Sequence, residues 1–338
     1  VLYRHFRRAL FALPPERAHA LSLSALRVAY NLGYRARRVE SPLSVMGLQF
    51  PNRVGLAAGF DKNGCYIDAL GALGFGFIEI GTVTPRAQPG QPRPRVFRLE
   101  SLEALINRMG FPNEGASVVA QRLSRRSFVG VCGVNIGKNR DTPLDRAVDD
   151  YVTCFRALAA HADYVAVNVS SPNTEGLRLL QDAQQLEPIL AALQEERSAS
   201  PRRSVPILVK ISPDLTDREL DDLCDVVRRM HVDGVIATNT SVSRPADSAL
   251  PALAERGGLS GRPLLVRSVA TIRRLRERLG PTVAIVGAGG VSCAADAVAV
   301  VESGAQLVQV YTGLVYRGPG LIREIGEALR QQDRVTGA

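Results

Sequence analysis

Lysine and arginine together number 42, and only three of them are lysine: Lys62, Lys138 and Lys210. A coding bias would put arginine wherever any cation serves, so the positions that stay lysine are the ones to inspect. A compact ammonium on a flexible stem cannot be replaced at every site by a planar fork. A second candidate lies in VAVNVSSPNTEGLR (165–178), where a strand-like run ends in Ser170 and Ser171. A nucleophilic serine normally needs a histidine base. All four histidines, His5, His19, His161 and His231, fall in stretches patterned as helix, away from glycine-rich turns. Acyl-enzyme chemistry is therefore not indicated, and the serine calls for another role.

The elements that hold these residues follow from periodicity. From residue 54 the chain alternates apolar, β-branched runs with amphipathic stretches. The runs are VGLAAGF (54–60), FIEIGTVT (77–84), VCGVNIG (131–137) and YVAVNVSS (164–171), followed by ILVKISP (207–213), GVIATNT (234–240), VAIVGAGGV (283–291) and LVQVYTG (307–313). Between them lie helix-period segments such as DRAVDDYVTCFRALAAH (145–161) and DRELDDLCDVVRRM (217–230), the latter opened by a Thr216–Asp217 cap. Near-continuous apolar strands separated by helices imply parallel strands covered on both faces. Eight such units predict an α/β fold, a closed (β/α)₈ TIM barrel. Residues 1–40 fall outside it, as a small helical extension broken at Pro14–Pro15, leaving 41–338 as the barrel domain. Residues 85–112 form a Pro/Arg-rich excursion in which VFRL and ALIN are expected to pair as short strands.

Chemistry in such a barrel sits where the strands end. Those ends read AAGFDKNG, GTVTP, NIGKN, NVSSPN, KISP, TNTS, GAGGV and YTG, and all three lysines lie in them. Single asparagines and threonines form turns, but a ring of eight polar ends exceeds what turns require. GAGGV and YTG follow the seventh and eighth strands, where barrels bind phosphate on close-approaching backbone N–H groups. Lys210, pointing inward, could serve an electron-rich cofactor as a fixed charge; the plainer reading pairs it with a barrel acid, for which Glu79 is the candidate. Lys138 occupies a looser position after NIG, where arginine is expected to be better tolerated.

Composition excludes several classes. The net charge is +9, but aromatic residues make up only 5% and no nucleic-acid motif is present, so no nucleic-acid partner is expected. The five cysteines are scattered without CxxC or metal-ligand spacing and read as core residues, with no metal site. No apolar run approaches the roughly 18 residues of a membrane span, and the basic N-terminus lacks a signal-peptide pattern.

AAGFDKNG, INRMGFPN, NVSSPNTEGLR, TNTS, GGLSG and YTGLVYRGPG, in that order, resemble the quinone-dependent (class 2) dihydroorotate dehydrogenases across essentially the whole chain. The resemblance implies an FMN barrel that oxidises (S)-dihydroorotate to orotate in de novo pyrimidine (UMP) synthesis and passes electrons to a membrane quinone. It implies peripheral attachment to an anionic membrane surface, on the cytoplasmic face of the bacterial inner membrane. Soluble class 1 relatives carry cysteine where Ser171 stands, so Ser171 is the implied catalytic base; a serine with its high pKa must hand its proton on, through water, in a closed site. A serine capping the Pro172 turn is the competing role, expected of Ser170. The implied FMN residues are Ala58, Gly59, Phe60, Asp61, Lys62, Thr82, Asn135, Asn168, Lys210, Thr238, Gly261, Gly290, Tyr311 and Thr312. The implied substrate residues are Lys62, Asn107, Arg108, Met109, Gly110, Phe111, Asn168, Asn173, Asn239 and Thr240, whose amides suit a cyclic imide. His19, Arg98 and Tyr311 match the quinone tunnel of similar proteins. Two departures stand out: Pro112 replaces a usual asparagine, and Thr312 stands where serine is also common.

The stripe Leu2, Phe6, Leu10 and Leu13, flanked by Arg4, Arg7 and Arg8, fits a helix lying on a membrane surface. A phosphate-sugar isomerase on the same barrel would also explain GAGGV, but it predicts a carboxylate pair where these ends carry amides. A membrane-binding module without catalysis leaves the polar ring unexplained.

Overall fold

The computed structural model describes residues 2–199, 204–245 and 250–336; the side chains of Leu2, Arg4, His5 and Thr336 lie outside the described residues. Among the described residues, thirteen strands form three sheets. A hairpin, β1 (Leu43–Val45) and β2 (Leu48–Phe50), precedes β3 (Val54–Leu56) and β4 (Phe77–Val83). Then follow β5 (Val96–Leu99), β6 (Ala104–Asn107), β7 (Val131–Ile136), β8 (Tyr164–Asn168), β9 (Ile207–Ile211), β10 (Gly234–Ala237), β11 (Gly258–Gly261), β12 (Ala284–Ala288) and β13 (Leu307–Val310). Strands β3, β4, β7, β8, β9, β10, β12 and β13 close into the expected parallel barrel.

Every residue of those eight strands is buried, because helices cover the outside and side chains fill the inside. Filling depends on pairing small with large. Gly55 pairs in register with Phe77, and Gly133 with Tyr164. A Cβ on Gly55 would lie 2.2 Å from the Phe77 ring, and one on Gly133 would lie 2.0 Å from the Tyr164 ring. Phe50, carried by the hairpin, meets Phe77 edge-on at 5.4 Å and belongs to the cluster that closes one end of the barrel.

The helices are α1 (Leu2–Phe11), α2 (Pro15–Asn31), α3 (Ile67–Gly71), α4 (Ala116–Leu123), α5 (Ala147–Leu158) and α6 (Ala183–Ala199). They continue with α7 (Asp217–Arg229), α8 (Leu265–Leu279), α9 (Ala294–Glu302), α10 (Thr312–Arg317) and α11 (Gly320–Thr336). Thr216 opens α7 through a full capping box with Glu219. The strand runs continue past the ladder into the loops: VGLAAGF is strand only to Leu56 and YVAVNVSS only to Asn168. The helical reading of His161 and His231 does not hold. Both lie in turns after α5 and α7, and His231 adopts φ 48°.

The excursion folds as expected and gains a partner: β5 and β6 are antiparallel, and β11 completes a three-stranded sheet on β6. This sheet anchors the extension. Arg98, on β5, donates through Nη1 to the carbonyls of Phe11 (3.0 Å) and Leu13 (2.8 Å), satisfying oxygens left over where α1 ends. On the other side α1 lays Tyr3, Arg7 and Phe11 against α10. Tyr3 donates to Val315 O, Arg7 to Tyr316 O, and the Phe11 and Tyr316 rings meet at 5.4 Å.

The ring-over-glycine pairing predicts that Gly133→Ala will overpack the barrel, lowering unfolding free energy by about 2–3 kcal/mol. Gly320→Ala, at a site with nothing within 4 Å, should leave Tm within a degree or so of wild type. Thermal unfolding of the two variants is the check, and equal Tm values would refute the packing argument.

Candidate active site

One cavity of about 750 Å³ runs from the strand ends to the helical extension, lined at one end by Asn107, Ser171 and Asn173 and at the other by Leu10, Phe11 and His19. Its floor is organised by Glu79, fully buried in the middle of β4. One carboxylate oxygen accepts from Asn135 Nδ2 at 2.9 Å and faces Lys210 Nζ at 3.6 Å. The other accepts from Tyr164 Oη at 2.9 Å and Gln309 Nε2 at 2.7 Å. Lys210 therefore has the acid partner anticipated for it, while its side chain still lines the cavity.

A chain of amides and hydroxyls continues upward from this floor. Thr82 Oγ1 donates to Asn135 Oδ1, Asn168 Nδ2 donates to both, and Asn239 Nδ2 donates to Asn168 Oδ1 and Ser170 Oγ. Asn135 is buried behind Thr82 and Asn168 and supports the wall without lining it. Ser170 is tied into this chain, so the turn-capping role expected of it belongs to Ser171, whose Oγ accepts from the Asn173 amide at 3.3 Å. Among the described residues the Ser171 proton has no acceptor and is free to point into the cavity that Ser171 lines.

The turn Ala58–Gly59–Phe60–Asp61–Lys62 forms a second wall. The Asp61 carboxylate accepts from the Cys65 and Tyr66 amides, which fixes the turn. Lys62 Nζ donates to Gly59 O at 2.6 Å. Burial, and then the nearby Arg95 charge, push the Lys62 ammonium down to about 8. Met109, Gly110 and Phe111 come down from the excursion, with Phe111 held at φ 52°. Gln88 Nε2 holds their carbonyls from behind, donating to Gly110 O and Phe111 O. Asn173 Nδ2 donates to Asn107 Oδ1 at 3.2 Å, joining the two loops. Arg108 does not join them: its guanidinium turns away to Glu255, Pro94 O and the Phe97 ring. Lys138 is not a loose position either. It is buried and donates to Asn139 O and Thr142 O, away from the cavity.

Thr238, Thr240, Gly261, Gly290 and Thr312 line the remaining side, Thr312 Oγ1 lying 2.8 Å from Ser260 Oγ. At the extension, His19 Nε2 meets Phe60 O at 2.9 Å, so this histidine does reach a glycine-containing turn. Since a carbonyl only accepts, Nε2 carries the hydrogen and Nδ1 is left as an acceptor. Burial first, and the Lys62 charge second, push His19 down to about 4, keeping it neutral. The rings of His19, Phe60 and Tyr311 stack edge to face in sequence, at 4.9 and 5.2 Å.

Two buried acceptors have no partner among the described residues and lie at this cavity: Gln309 Oε1 on the floor and Asn173 Oδ1 on the wall. Buried polar atoms are rarely left so. Both fit bound rings that carry imide or amide N–H groups, which flavins and dihydropyrimidines do. The mixed donors and acceptors, one fixed ammonium and a glycine-bordered end likewise suit a flavin nucleotide, and no cluster of metal-ligating residues occurs among the described residues. Gln309 escaped sequence reasoning, although a lone polar residue inside LVQVYTG was a usable signal. Gln88 and Gln91 gave none, being loop residues whose partners are set by the fold.

Comparison with known proteins agrees with this geometry. The family model described as dihydroorotate dehydrogenase matches residues 42–332. A curated dihydroorotate dehydrogenase (quinone) of Cupriavidus taiwanensis is 52% identical, with 97% of this chain and 98% of that protein covered. One of the same name from Stenotrophomonas maltophilia is 51% identical over 98% and 97% of the two chains. A crystal structure of the Eimeria tenella enzyme in complex with ferulenol superimposes with a TM-score of 0.90 at 37% identity, covering 97% of this chain and 95% of that one. With its barrel, its polar strand ends and matches of this extent, the chain belongs to the dihydroorotate dehydrogenase family.

Proposed function

We propose that this chain is a quinone-dependent dihydroorotate dehydrogenase that uses FMN, converts (S)-dihydroorotate to orotate in pyrimidine synthesis, and delivers the electrons to a membrane quinone. The observation that carries this reading is the single cavity with two chemistries, amides and Ser171 at one end and an apolar mouth under α1 and α2 at the other. FMN would lie along the strand ends from Ala58 to Thr312, with Lys210 and the Thr82–Asn168 pair beneath it. The chemistry it supplies when bound is hydride acceptance and onward release of two electrons. The protein's own work is to hold the substrate and move a proton. Lys62 and the Asn107, Asn173 and Asn239 amides grip the anionic imide, while Ser171 Oγ receives the ring proton as its own passes to water. Ser171 is itself buried, which would keep bulk water from the proton it moves.

The apolar mouth, and the exposure of Phe6, Leu21, Val28 and Leu32 on or beside the extension helices, support docking on an anionic membrane surface, as a peripheral protein on the cytoplasmic face of the inner membrane. No helix among the described residues is long and apolar enough to cross a membrane.

The deciding experiment is anaerobic. Dihydroorotate should bleach the visible flavin absorption of the purified protein, and a quinone, not NAD, should restore it. A colourless protein, or recovery with NAD alone, would sink the reading.

Ser171→Ala should keep its flavin yet bleach roughly 10²–10⁴-fold more slowly, the usual loss for an acid–base group, with Ser171→Cys between alanine and wild type. Near-normal single-turnover bleaching in the alanine variant would remove Ser171 from the mechanism.

The depressed Lys62 predicts a pH effect. Below about 8 its ammonium is charged and available to a carboxylate. Above that, binding must also supply a proton, so the Kd for orotate should rise about tenfold per pH unit until the pKa of the complex is reached. A Kd independent of pH from 7 to 10 would exclude Lys62 from carboxylate binding.

A further inference from the structure

The two ends of the cavity come from distant parts of the chain, and one guanidinium touches both. Arg95 is only 6% exposed. Its Nε and Nη2 donate to Glu16 Oε1, in the first turn of α2, at 3.1 and 3.0 Å. Its Nη1 donates to the carbonyls of Pro89 (2.7 Å) and Gln91 (3.0 Å) in the excursion. Gln91 reaches both substrate-side walls: its amide donates to Met109 O at 2.9 Å, and its Nε2 to Asn173 O at 3.2 Å. Asn173 in turn bonds Asn107 and Ser171. The clasp has no slack, since a Cβ on Gly90 would lie 2.3 Å from Met109 O and 2.8 Å from Arg95 Nη1.

We propose that the Glu16–Arg95 pair is a positioning device through which the helical extension sets the geometry of the Asn107–Phe111 and Ser171–Asn173 walls. The extension thus contributes to pyrimidine binding, beyond forming the quinone mouth. The physical reason is the cost of leaving a buried cation with carbonyl partners alone. Lys62 and Arg93 add positive charge nearby, Arg93 itself meeting Glu16 at 3.3 Å. Without the Glu16 carboxylate, the favoured relaxation turns Arg95 toward solvent, releasing the Pro89 and Gln91 carbonyls and loosening the clasp they close. This inference rests on the pyrimidine occupying those walls.

The test titrates orotate into oxidised, flavin-loaded protein and follows the visible spectrum with no quinone present. Glu16→Gln should weaken orotate about tenfold, the scale of one charge-assisted hydrogen bond, with flavin content retained. Glu16→Asp should recover part of the loss. Gln91→Leu cuts the same path further along, leaving the ion pair intact, and should weaken orotate in the same direction. Combined with Glu16→Gln it should add less than its separate effect. An orotate Kd within about twofold of wild type in Glu16→Gln, where one lost contact to a charge is worth more, with only the quinone KM raised, would overturn the inference. So would unchanged affinity in Gln91→Leu, which stands as the test if Glu16→Gln fails to fold. If orotate does not perturb the wild-type spectrum, the pyrimidine assignment fails and this inference with it. If wild type responds and the variants match it, only the coupling fails.

Discussion

A carboxylate with no exposure must find donors for both of its oxygens, and Glu79 is matched from four other strands. Its partners come from β7, β8, β9 and β13, so one side chain on β4 ties five of the eight barrel strands at a single level. That requirement explains features which otherwise look unrelated. Tyr164 reaches Glu79 only because its ring crosses Gly133, which cannot carry a side chain. Lys210 turns inward to within 3.6 Å of Glu79, and Asn135, spent on Glu79 through its Nδ2, offers its Oδ1 to Thr82 and Asn168. The polar floor is thus one network that grew from a buried acid, and its unused acceptor, Gln309 Oε1, faces where a ring would lie.

Above that floor the cavity changes character over a short distance. Lys62 and His19 lie at the boundary, and both are biased toward their neutral forms by burial. Lys62 remains within reach of neutral pH because Glu16 and Asp61 offset part of the Arg95 charge. His19 does not, since Lys62 adds to the effect of burial. The result is one titratable cation facing the polar end and a neutral ring facing the apolar mouth. On the proposed function, an anionic pyrimidine and a greasy acceptor would then be handled at the two ends of one continuous space.

The barrel was legible because its signal is periodic and repeated eight times, and the site region because polar residues concentrated at strand ends. What was not legible depends on which way a loop side chain points. Ser170 and Ser171 are neighbours of one type, and only the turn at Pro172 decides that Ser171 caps it while Ser170 joins the amide chain. Arg108 sits within a run of wall residues, yet the β6–β11 pairing turns it outward to Glu255. GLSG carries too few apolar residues to announce a strand, and β11 exists because β6 offers it an edge. The last two outcomes are set by contacts between segments more than a hundred residues apart, such as Asn107 with Gly258, which no local pattern encodes.

The division between lysine and arginine has the same origin. Where arginine is buried or half-buried here, its fork is filled: buried Arg95 spans a carboxylate and two carbonyls, and half-buried Arg276 reaches the carbonyls of Gly304 and Val283 and the Gln306 amide. Each lysine instead meets acceptors gathered at one point: Gly59 O for Lys62, Asn139 O and Thr142 O for Lys138, and Glu79 for Lys210. A guanidinium at those points would bring five donors to one or two acceptors and leave the others buried and unpaired. Lys138, buried and outside the cavity, obeys this rule as strictly as the two lysines that line it. Retention of lysine in an arginine-rich chain therefore marks a single-point cation site, and the cavity decides which of those sites face a ligand.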